Sequence, residues 1–188
     1  MNLPTKLTLM RIILIPVFLV LFFLPYPYLR FGAVAVFIIA CYTDHLDGHL
    51  ARKYNQITAL GNFLDTTADK MLVACALVAI SLDAHSFQIG VATCAMIIIS
   101  RELFILGLRA VAASKNYVLA VDKLGKIKAV VQMIALILLL PYQNIFYLNE
   151  LAGSIFLYVG LGLLALATVM TIIAGVNYLI KYKEVLKG

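Results

Sequence analysis

The stretch from Thr43 to Lys70, "TDHLDGHLARKYNQITALGNFLDTTADK", places an unusual number of carboxylates between very apolar segments. The chain of 188 residues has only nine Asp and Glu residues, and four of them fall within 26 positions of this stretch: Asp44, Asp47, Asp65 and Asp69. Ionisable groups beside hydrocarbon are energetically expensive and usually serve a function. The stretch therefore predicts a binding or catalytic site at the ends of membrane helices.

The composition predicts a membrane protein. Hydrophobic residues make up 64% of the chain, charged residues make up 13%, and the mean hydropathy is +1.02. Soluble domains are about half apolar and about a quarter charged. The net charge of +6 does not indicate nucleic acid as a partner, because the basic residues collect at helix ends, where they set membrane topology and attract anionic lipid.

Six apolar stretches predict six transmembrane helices, since each has about the 20 residues needed to cross hydrocarbon. There is no long linker, so residues 1–188 are expected to form one membrane-embedded, all-α domain. Fourteen of the fifteen Lys and Arg residues, Arg11 among them, lie at one end of these helices, and Arg30 lies at the other. Both termini and the site are therefore predicted to face the cytoplasm, in a multi-pass protein of the cell membrane. The predicted helices are Leu7–Leu24, Phe31–Arg52, Leu60–Leu82, Phe87–Ala112, Leu124–Tyr142 and Gly153–Ile180.

At about 100° per residue, the acids of the stretch line up with small residues on two helix faces. Gly61, Asp65 and Asp69 step by four along the third predicted helix. The loop between the second and third helices is short, so these helices are expected to be antiparallel neighbours with their acidic faces toward each other. The face of the second helix carries Asp44, Asp47, Gly48, Ala51 and Arg52.

Electrostatic repulsion indicates what these carboxylates bind. Two of them about 4 Å apart repel by roughly 4 kcal/mol at an effective dielectric of about 20, so four at one site need protons or cations between them. Hard divalent cations take carboxylate oxygens and keep positions open for phosphate, and pairs of them about 3.5–4 Å apart serve displacements at phosphorus. Arg52 has the planar fork that suits a phosphate, and Thr58 can hydrogen-bond a ligand or cap the third helix.

The residues "DHLDGHLAR…GNFLDTTAD" fit the pattern DxxDGxxAR…GxxxDxxxD at all eight fixed positions, and in this the chain resembles the CDP-alcohol phosphatidyltransferase family. The resemblance implies a six-helix membrane fold and two bound divalent cations, Mg²⁺ or Mn²⁺. It implies that Asp44, Asp47 and Asp65 bind metal, and that Asp69 binds the second metal and acts as the catalytic general base. It further implies that the cytidine nucleotide is bound by Asp44, Gly48, Ala51, Arg52, Thr58 and Gly61.

Within the family, the chain is most similar to bacterial members that use glycerol 3-phosphate. The segments "NLPTKLTLMRIILIPVF", "ISRELFILGLR" and "DKLGKIKAVVQ" carry this similarity, while Thr66 and Ala129 stand where proline and threonine are more usual. The resemblance implies transfer of the phosphatidyl group from CDP-diacylglycerol to glycerol 3-phosphate, giving phosphatidylglycerophosphate and CMP.

A phosphorylated acceptor brings negative charge to an acidic site, so cations are expected to receive it. Arg101 lies inside an apolar helix, where an arginine is costly unless it faces a wet cavity. It is therefore the favoured candidate for binding the phosphate of the acceptor. For the lysines, anchoring to lipid explains their position equally well. Glu102 is adjacent to Arg101 and is not expected to face it on a helix, but to orient Arg109 or a lysine. The candidate acceptor-phosphate residues are Arg101, Arg109, Lys123, Lys126 and Lys128.

Three points stay open at the level of the sequence. The acceptor can be another alcohol, such as inositol phosphate, serine or phosphatidylglycerol. A divalent-cation transporter would also place carboxylates in a membrane, although it leaves Arg52 and the small residues without a purpose. The glycines of the last predicted helix suit close packing, either within the chain or in a homodimer, and they are Gly153, Gly160, Gly162 and Gly175.

Overall fold

The computed structural model is all-helical in the residues that it describes, which are 3–53, 59–83, 87–114 and 123–182. Side chains are described for 8–43, 61, 63–83, 87–113 and 124–182. These parts of the chain contain seven α-helices and no strand. The helices are α1 (Leu3–Phe23), α2 (Pro27–Lys53), α3 (Ala59–Asp83), α4 (Gln88–Ser114), α5 (Lys123–Leu139), α6 (Tyr142–Leu148) and α7 (Glu150–Lys181).

The helix bounds lie close to those predicted, and the one additional helix follows from Pro141. The sequence predicted a fifth helix reaching Tyr142, with no helix between it and the last one. That prediction is wrong, because α5 ends at Leu139 and α6 follows at an angle of 42°. Proline has no N–H and its ring clashes with the preceding helical turn, so Pro141 ends α5. At the far end of α6, the Asn149 side chain accepts a hydrogen bond from the N–H of Ala152 at 3.1 Å, which caps the start of α7.

One compact unit of the chain comprises Met1–Ile80 and Leu140–Ser154. In this unit α1 packs on α2 through the buried rings of Phe18, Phe22 and Phe37. The ring centroids of Phe18 and Phe37 are 5.9 Å apart, in a tilted arrangement. That separation is within the range that aromatic pairs prefer, so these rings fix how α1 lies against α2.

Two polar contacts fix α6 to the start of α2 in the same unit. The buried Asn144 donates a hydrogen bond from its side chain to the backbone oxygen of Pro27. Arg30 donates from Nη1 to Oε1 of Gln143 at 2.9 Å. Arg30, the one basic residue at this end of the predicted helices, is therefore hydrogen-bonded to a neutral amide.

The second compact unit comprises Ser81–Leu139 and Ile155–Gly188, and so contains α4, α5 and most of α7. Its core includes the fully buried side chains of Ile98, Leu136 and Leu164, one from each of these helices. Without a hydrophobic driving force in lipid, helices associate through close packing of this kind. The organisation of residues 1–188 as a single domain stays a prediction.

Glycines on α7 allow close approach within each unit. A Cβ at Gly153 would overlap the backbone of Phe146, and a Cβ at Gly160 would lie 2.7 Å from Cγ of Leu139. A Cβ at Gly162 would meet no atom within 4 Å in the described part of the chain. Internal packing therefore explains the first two glycines, as small residues at helix contacts usually do.

Among the residues that the structure describes, two helices are long and apolar enough to cross a membrane, namely Gln88–Ala113 and Glu150–Lys181, with 26 and 32 residues. The bent pair α5 and α6 makes a third candidate if it is one span. Thr8–Phe23 and Pro27–Thr43 are apolar but shorter. Large apolar side chains are widely exposed, with Ile89 at 85%, which suits a lipid surface. The apolar helices indicate a membrane protein with two or three candidate spans among the residues described.

Candidate functional site

Two aspartates of the acidic stretch lie on α3. This helix is continuous from Ala59 to Asp83, so Gly61, Asp65 and Asp69 recur at every fourth position and share one face. Both carboxyl side chains are half-buried. One rigid element therefore presents two oxygen-donor side chains, one helical turn apart.

A buried arginine of α1 pairs with the first of these aspartates. Arg11 donates from Nη1 to Oδ1 of Asp65 at 2.9 Å, and the Arg11 side chain is 0% exposed while that of Asp65 is 33% exposed. From the sequence alone, Arg11 is only a basic residue near a helix end, because no spacing rule connects positions 54 apart. The available signal was its place inside the apolar run "LTLMRIILIPVF", where an arginine is expensive. Arg11, Asp65 and Asp69 are called the acidic site below.

The donor chemistry of the acidic site fits a hard divalent cation. Carboxylate oxygens are the ligands that Mg²⁺ and Mn²⁺ take in proteins. Arg11 occupies Oδ1 of Asp65, and no hydrogen bond from the described residues reaches the other oxygen, Oδ2. Among the described residues, Asp65 therefore has one oxygen that no donor occupies while it is paired with Arg11.

The remaining motif residues lie on or beside α2, outside the described side chains. The helix continues to Lys53, so their spacing along the backbone is helical, as predicted. Thr58 lies outside the described residues altogether, and the approach of the α2 motif to α3 stays a prediction. Within the described residues, no group of three or more His, Cys, Asp or Glu side chains could hold a metal, since half of the aspartates fall outside them. The α2 motif residues are Asp44, Asp47, Gly48, Ala51 and Arg52.

A cluster of the opposite charge lies on α4 and α5 and consists of Arg101, Glu102 and Lys128, called the basic cluster below. Oε1 of Glu102 accepts a hydrogen bond from Nη1 of Arg101 at 3.0 Å and another from Nζ of Lys128. The prediction that Glu102 does not face Arg101 is wrong, because the long arginine side chain bends back along the helix to its neighbour. The prediction that Glu102 orients a lysine is confirmed by Lys128.

Arg101 packs closely against α7 and has one donor that no described residue accepts. Gly175 of α7 lies beside it, and a Cβ at that position would be 3.4 Å from Cγ and 3.5 Å from Nε of Arg101. Nε of Arg101 is buried and has no hydrogen-bond partner within the part of the chain that the structure describes. A buried donor of this kind is stabilised when it gains an acceptor. Because Nη1 and not Nε donates to Glu102, an acceptor that reached this Nε would not displace Glu102.

The other candidate acceptor residues have different surroundings. The Lys128 side chain is 5% exposed, so anchoring to lipid does not explain it, whereas Lys126 is exposed. Arg109 donates from Nε to the hydroxyl of Tyr178 at 3.3 Å, and its guanidinium lies 5.7 Å from the centre of that ring. Lys123 begins α5, and its side chain is outside those described. Two of the five candidates therefore share one carboxylate, and a third is held by a tyrosine.

Comparison with known proteins agrees with the motif. A family model described as CDP-alcohol phosphatidyltransferase matches residues 1–173. The chain is 41% identical to proteins named CDP-diacylglycerol–glycerol-3-phosphate 3-phosphatidyltransferase from Shigella flexneri serotype 5b (strain 8401) and Escherichia coli (strain K12). Each alignment spans 180 residues, which are 95% of this chain and 93% of the relative. The chain belongs to the CDP-alcohol phosphatidyltransferase family.

Proposed function

We propose that the chain is an enzyme that transfers the phosphatidyl group from CDP-diacylglycerol to glycerol 3-phosphate, giving phosphatidylglycerophosphate and CMP. The observation that carries this proposal is the 41% identity, over 95% of the chain, to relatives whose name specifies this donor and this acceptor. All eight fixed positions of the family motif are present. The buried lysine and the arginine of the basic cluster suit a phosphorylated acceptor.

Asp69 is the general base of the proposed reaction. Its carboxylate takes the proton from the C1 hydroxyl of glycerol 3-phosphate, and the hydroxyl oxygen attacks the phosphorus that carries diacylglycerol. The bond from that phosphorus to the bridging oxygen breaks, and CMP departs with this oxygen. A base within hydrogen-bond reach contributes about 10²–10⁴-fold. Positioning and charge stabilisation, which dominate phosphoryl transfer, contribute most of the remaining rate enhancement.

The aspartates hold two divalent cations, Mg²⁺ or Mn²⁺, when the enzyme is loaded. When bound, such cations would supply charge neutralisation for the pyrophosphate and for the departing CMP. Support comes from the paired carboxylates on α3 and from the oxygen of Asp65 that Arg11 does not take. The metal-binding residues are Asp44, Asp47, Asp65 and Asp69, and the nucleotide-binding residues are Asp44, Gly48, Ala51, Arg52, Thr58 and Gly61.

Arg101 and Lys128 bind the phosphate of glycerol 3-phosphate. Both donate to the same oxygen of Glu102, so their cationic ends are close enough to contact a single phosphate group. Glu102 is the positioning residue, and its one negative charge leaves the cluster with a net positive charge. Arg109, Lys123 and Lys126 supply further positive charge near the acceptor, which steers an anion toward its site.

The proposed enzyme spans the cell membrane six times as a single domain, with both termini and the active site on the cytoplasmic side. The support is the distribution of basic residues, since Arg30 alone lies at the opposite helix ends, and the exposed apolar side chains of the helices. A homodimer stays a prediction as well, with Gly162 as the α7 glycine that has open space beside it.

One assay tests the proposed activity. Purified protein in detergent is supplied with Mg²⁺ or Mn²⁺, CDP-diacylglycerol and one alcohol at a time, and the release of CMP is measured. The expected result is release with glycerol 3-phosphate and none with serine, inositol phosphate or phosphatidylglycerol. Release with a different alcohol alone would contradict the acceptor, and no release with any alcohol would contradict the transferase.

A further inference from the structure

The strongest unexplained feature of the acidic site is Arg11. Its side chain is completely buried, and Nη1 contacts Oδ1 of Asp65 at 2.9 Å. Arg11 belongs to α1, outside the family motif, and the reaction proposed above gives it no task. A buried arginine that donates to one oxygen of a metal-binding aspartate has the geometry of a second-layer contact at a metal site.

The burial of Arg11 means that its contact with Asp65 persists when a cation arrives. An exposed arginine could swing into water, but this side chain has no exposed surface. Separating a buried guanidinium from a carboxylate partner is strongly unfavourable. The pair is therefore expected to stay together in the free and the metal-bound enzyme, with Oδ1 of Asp65 hydrogen-bonded to Arg11 in both.

We propose that Arg11 is a positioning residue for the divalent cation: its guanidinium fixes Oδ1 of Asp65 and leaves Oδ2 directed to the metal. This inference rests on the proposed function, because it assumes that Asp65 is a metal ligand. Hydrogen-bonded second-layer partners hold a ligand in its binding orientation, and their removal typically weakens metal binding by about 10–100-fold. The positive charge of Arg11 repels the cation and so lowers the metal affinity, but the carboxylate of Asp65 lies between the two positive charges.

The test measures Mn²⁺ binding to the purified full-length protein in detergent, without substrates, by the loss of the free Mn²⁺ signal in electron paramagnetic resonance. We expect Arg11→Met to weaken binding by about 10–100-fold. The matched control is Arg30→Met, which removes an arginine of the same unit that donates to Gln143, and its Mn²⁺ affinity should equal that of the wild type. Unchanged or tighter binding by Arg11→Met would overturn the proposal, since tighter binding would mean that Arg11 only repels the cation.

A double-substitution cycle separates positioning from general damage. Asp65→Asn alone should weaken Mn²⁺ binding, and adding Arg11→Met to it should cause no further loss, because Arg11 acts through Asp65. An additional loss of the same size in the Asn background would overturn the proposal.

If Arg11→Met does not fold, the Mn²⁺ affinity of Arg11→Lys is measured in its place. Lysine keeps the positive charge but lacks the planar fork of the guanidinium. Wild-type affinity in that folded variant would overturn the role of the guanidinium geometry. A wild-type protein that binds no Mn²⁺ would instead refute the metal site itself, and the role of Arg11 with it.

Discussion

The acidic site combines two acids with one base, and the basic cluster combines two bases with one acid. In the acidic site, a buried arginine contacts Asp65. In the basic cluster, one glutamate contacts both an arginine and a buried lysine. Two carboxylates and one guanidinium leave a formal charge of −1, while two cations and one carboxylate leave +1. The formal charge of each named group has the sign that suits its proposed ligand, cations for the first and phosphate for the second.

The two groups differ in the sequence separation between the single oppositely charged residue and the residues that it contacts. Arg11 is 54 positions from Asp65 in the chain, so the acidic site depends on the packing of α1. Glu102 is next to Arg101 and 26 positions from Lys128, so one of the two contacts in the basic cluster forms within a single helix. The acidic site is expected to be more sensitive to changes in helix packing, and the basic cluster more sensitive to changes in α4 itself.

The largest expected effect is in the acidic site. Asp69→Asn removes the general base and should lower kcat by at least about 10²-fold, while binding of CDP-diacylglycerol is largely kept. CMP release and binding of the lipid substrate are measured on the same preparation. Asp83→Asn, at the other end of α3, is the control and should keep wild-type kcat. Loss of lipid binding together with turnover would give Asp69 a mainly metal-holding role.

A smaller effect, specific to the acceptor, is expected in the basic cluster. Arg101→Ala should raise the KM for glycerol 3-phosphate by about 10–100-fold, since a hydrogen bond to a charged group is worth about 1.5–3 kcal/mol, and should change the KM for CDP-diacylglycerol far less. Both constants come from initial rates of CMP release. Arg30→Ala, which removes an arginine bonded to an amide, should change neither constant. Equal increases for the two substrates would contradict the assignment of Arg101.

The two lysines of α5 test whether the buried lysine binds the acceptor phosphate or whether any nearby positive charge attracts it equally well. Lys128→Met removes a buried partner of Glu102 and should raise the KM for glycerol 3-phosphate about tenfold. Lys126→Met removes an exposed charge and should change it by less than about threefold, because exposed ion pairs are worth about 0–1 kcal/mol. The same or a larger effect of Lys126→Met would mean that general attraction, and not the Glu102 cluster, receives the phosphate.

The smallest effect is expected from packing alone. Gly160→Ala brings a Cβ to 2.7 Å from Cγ of Leu139 and should lower stability by about 1 kcal/mol, or Tm by a few degrees, roughly 2–4 °C. Gly162→Ala has open space within 4 Å among the described residues and should leave Tm unchanged. Both variants should keep the wild-type KM for glycerol 3-phosphate. A rise in KM for Gly160→Ala would show that the effects at Arg101 and Lys128 cannot be separated from packing.

The sequence predicted the all-helical fold and most helix bounds because apolar length and periodicity are local properties. Pro141 was the local signal for the break between α5 and α6, and the apolar run on both sides of it concealed that break. Glu102 was misjudged relative to Arg101 because helical spacing describes Cβ directions, whereas long side chains can bend back. Arg11 was missed because its partner is set by tertiary packing, which no motif spacing encodes.

The most direct test of the account is the location of Mn²⁺ in a crystal of the nucleotide-loaded protein, by anomalous diffraction. We expect two peaks about 3.5–4 Å apart, in coordination contact with the carboxylates of Asp65 and Asp69, with Arg11 still bonded to Oδ1 of Asp65. The absence of any anomalous peak beside these two aspartates, in crystals with clear density for the nucleotide, would contradict the central claim that the acidic site binds the cations of the reaction.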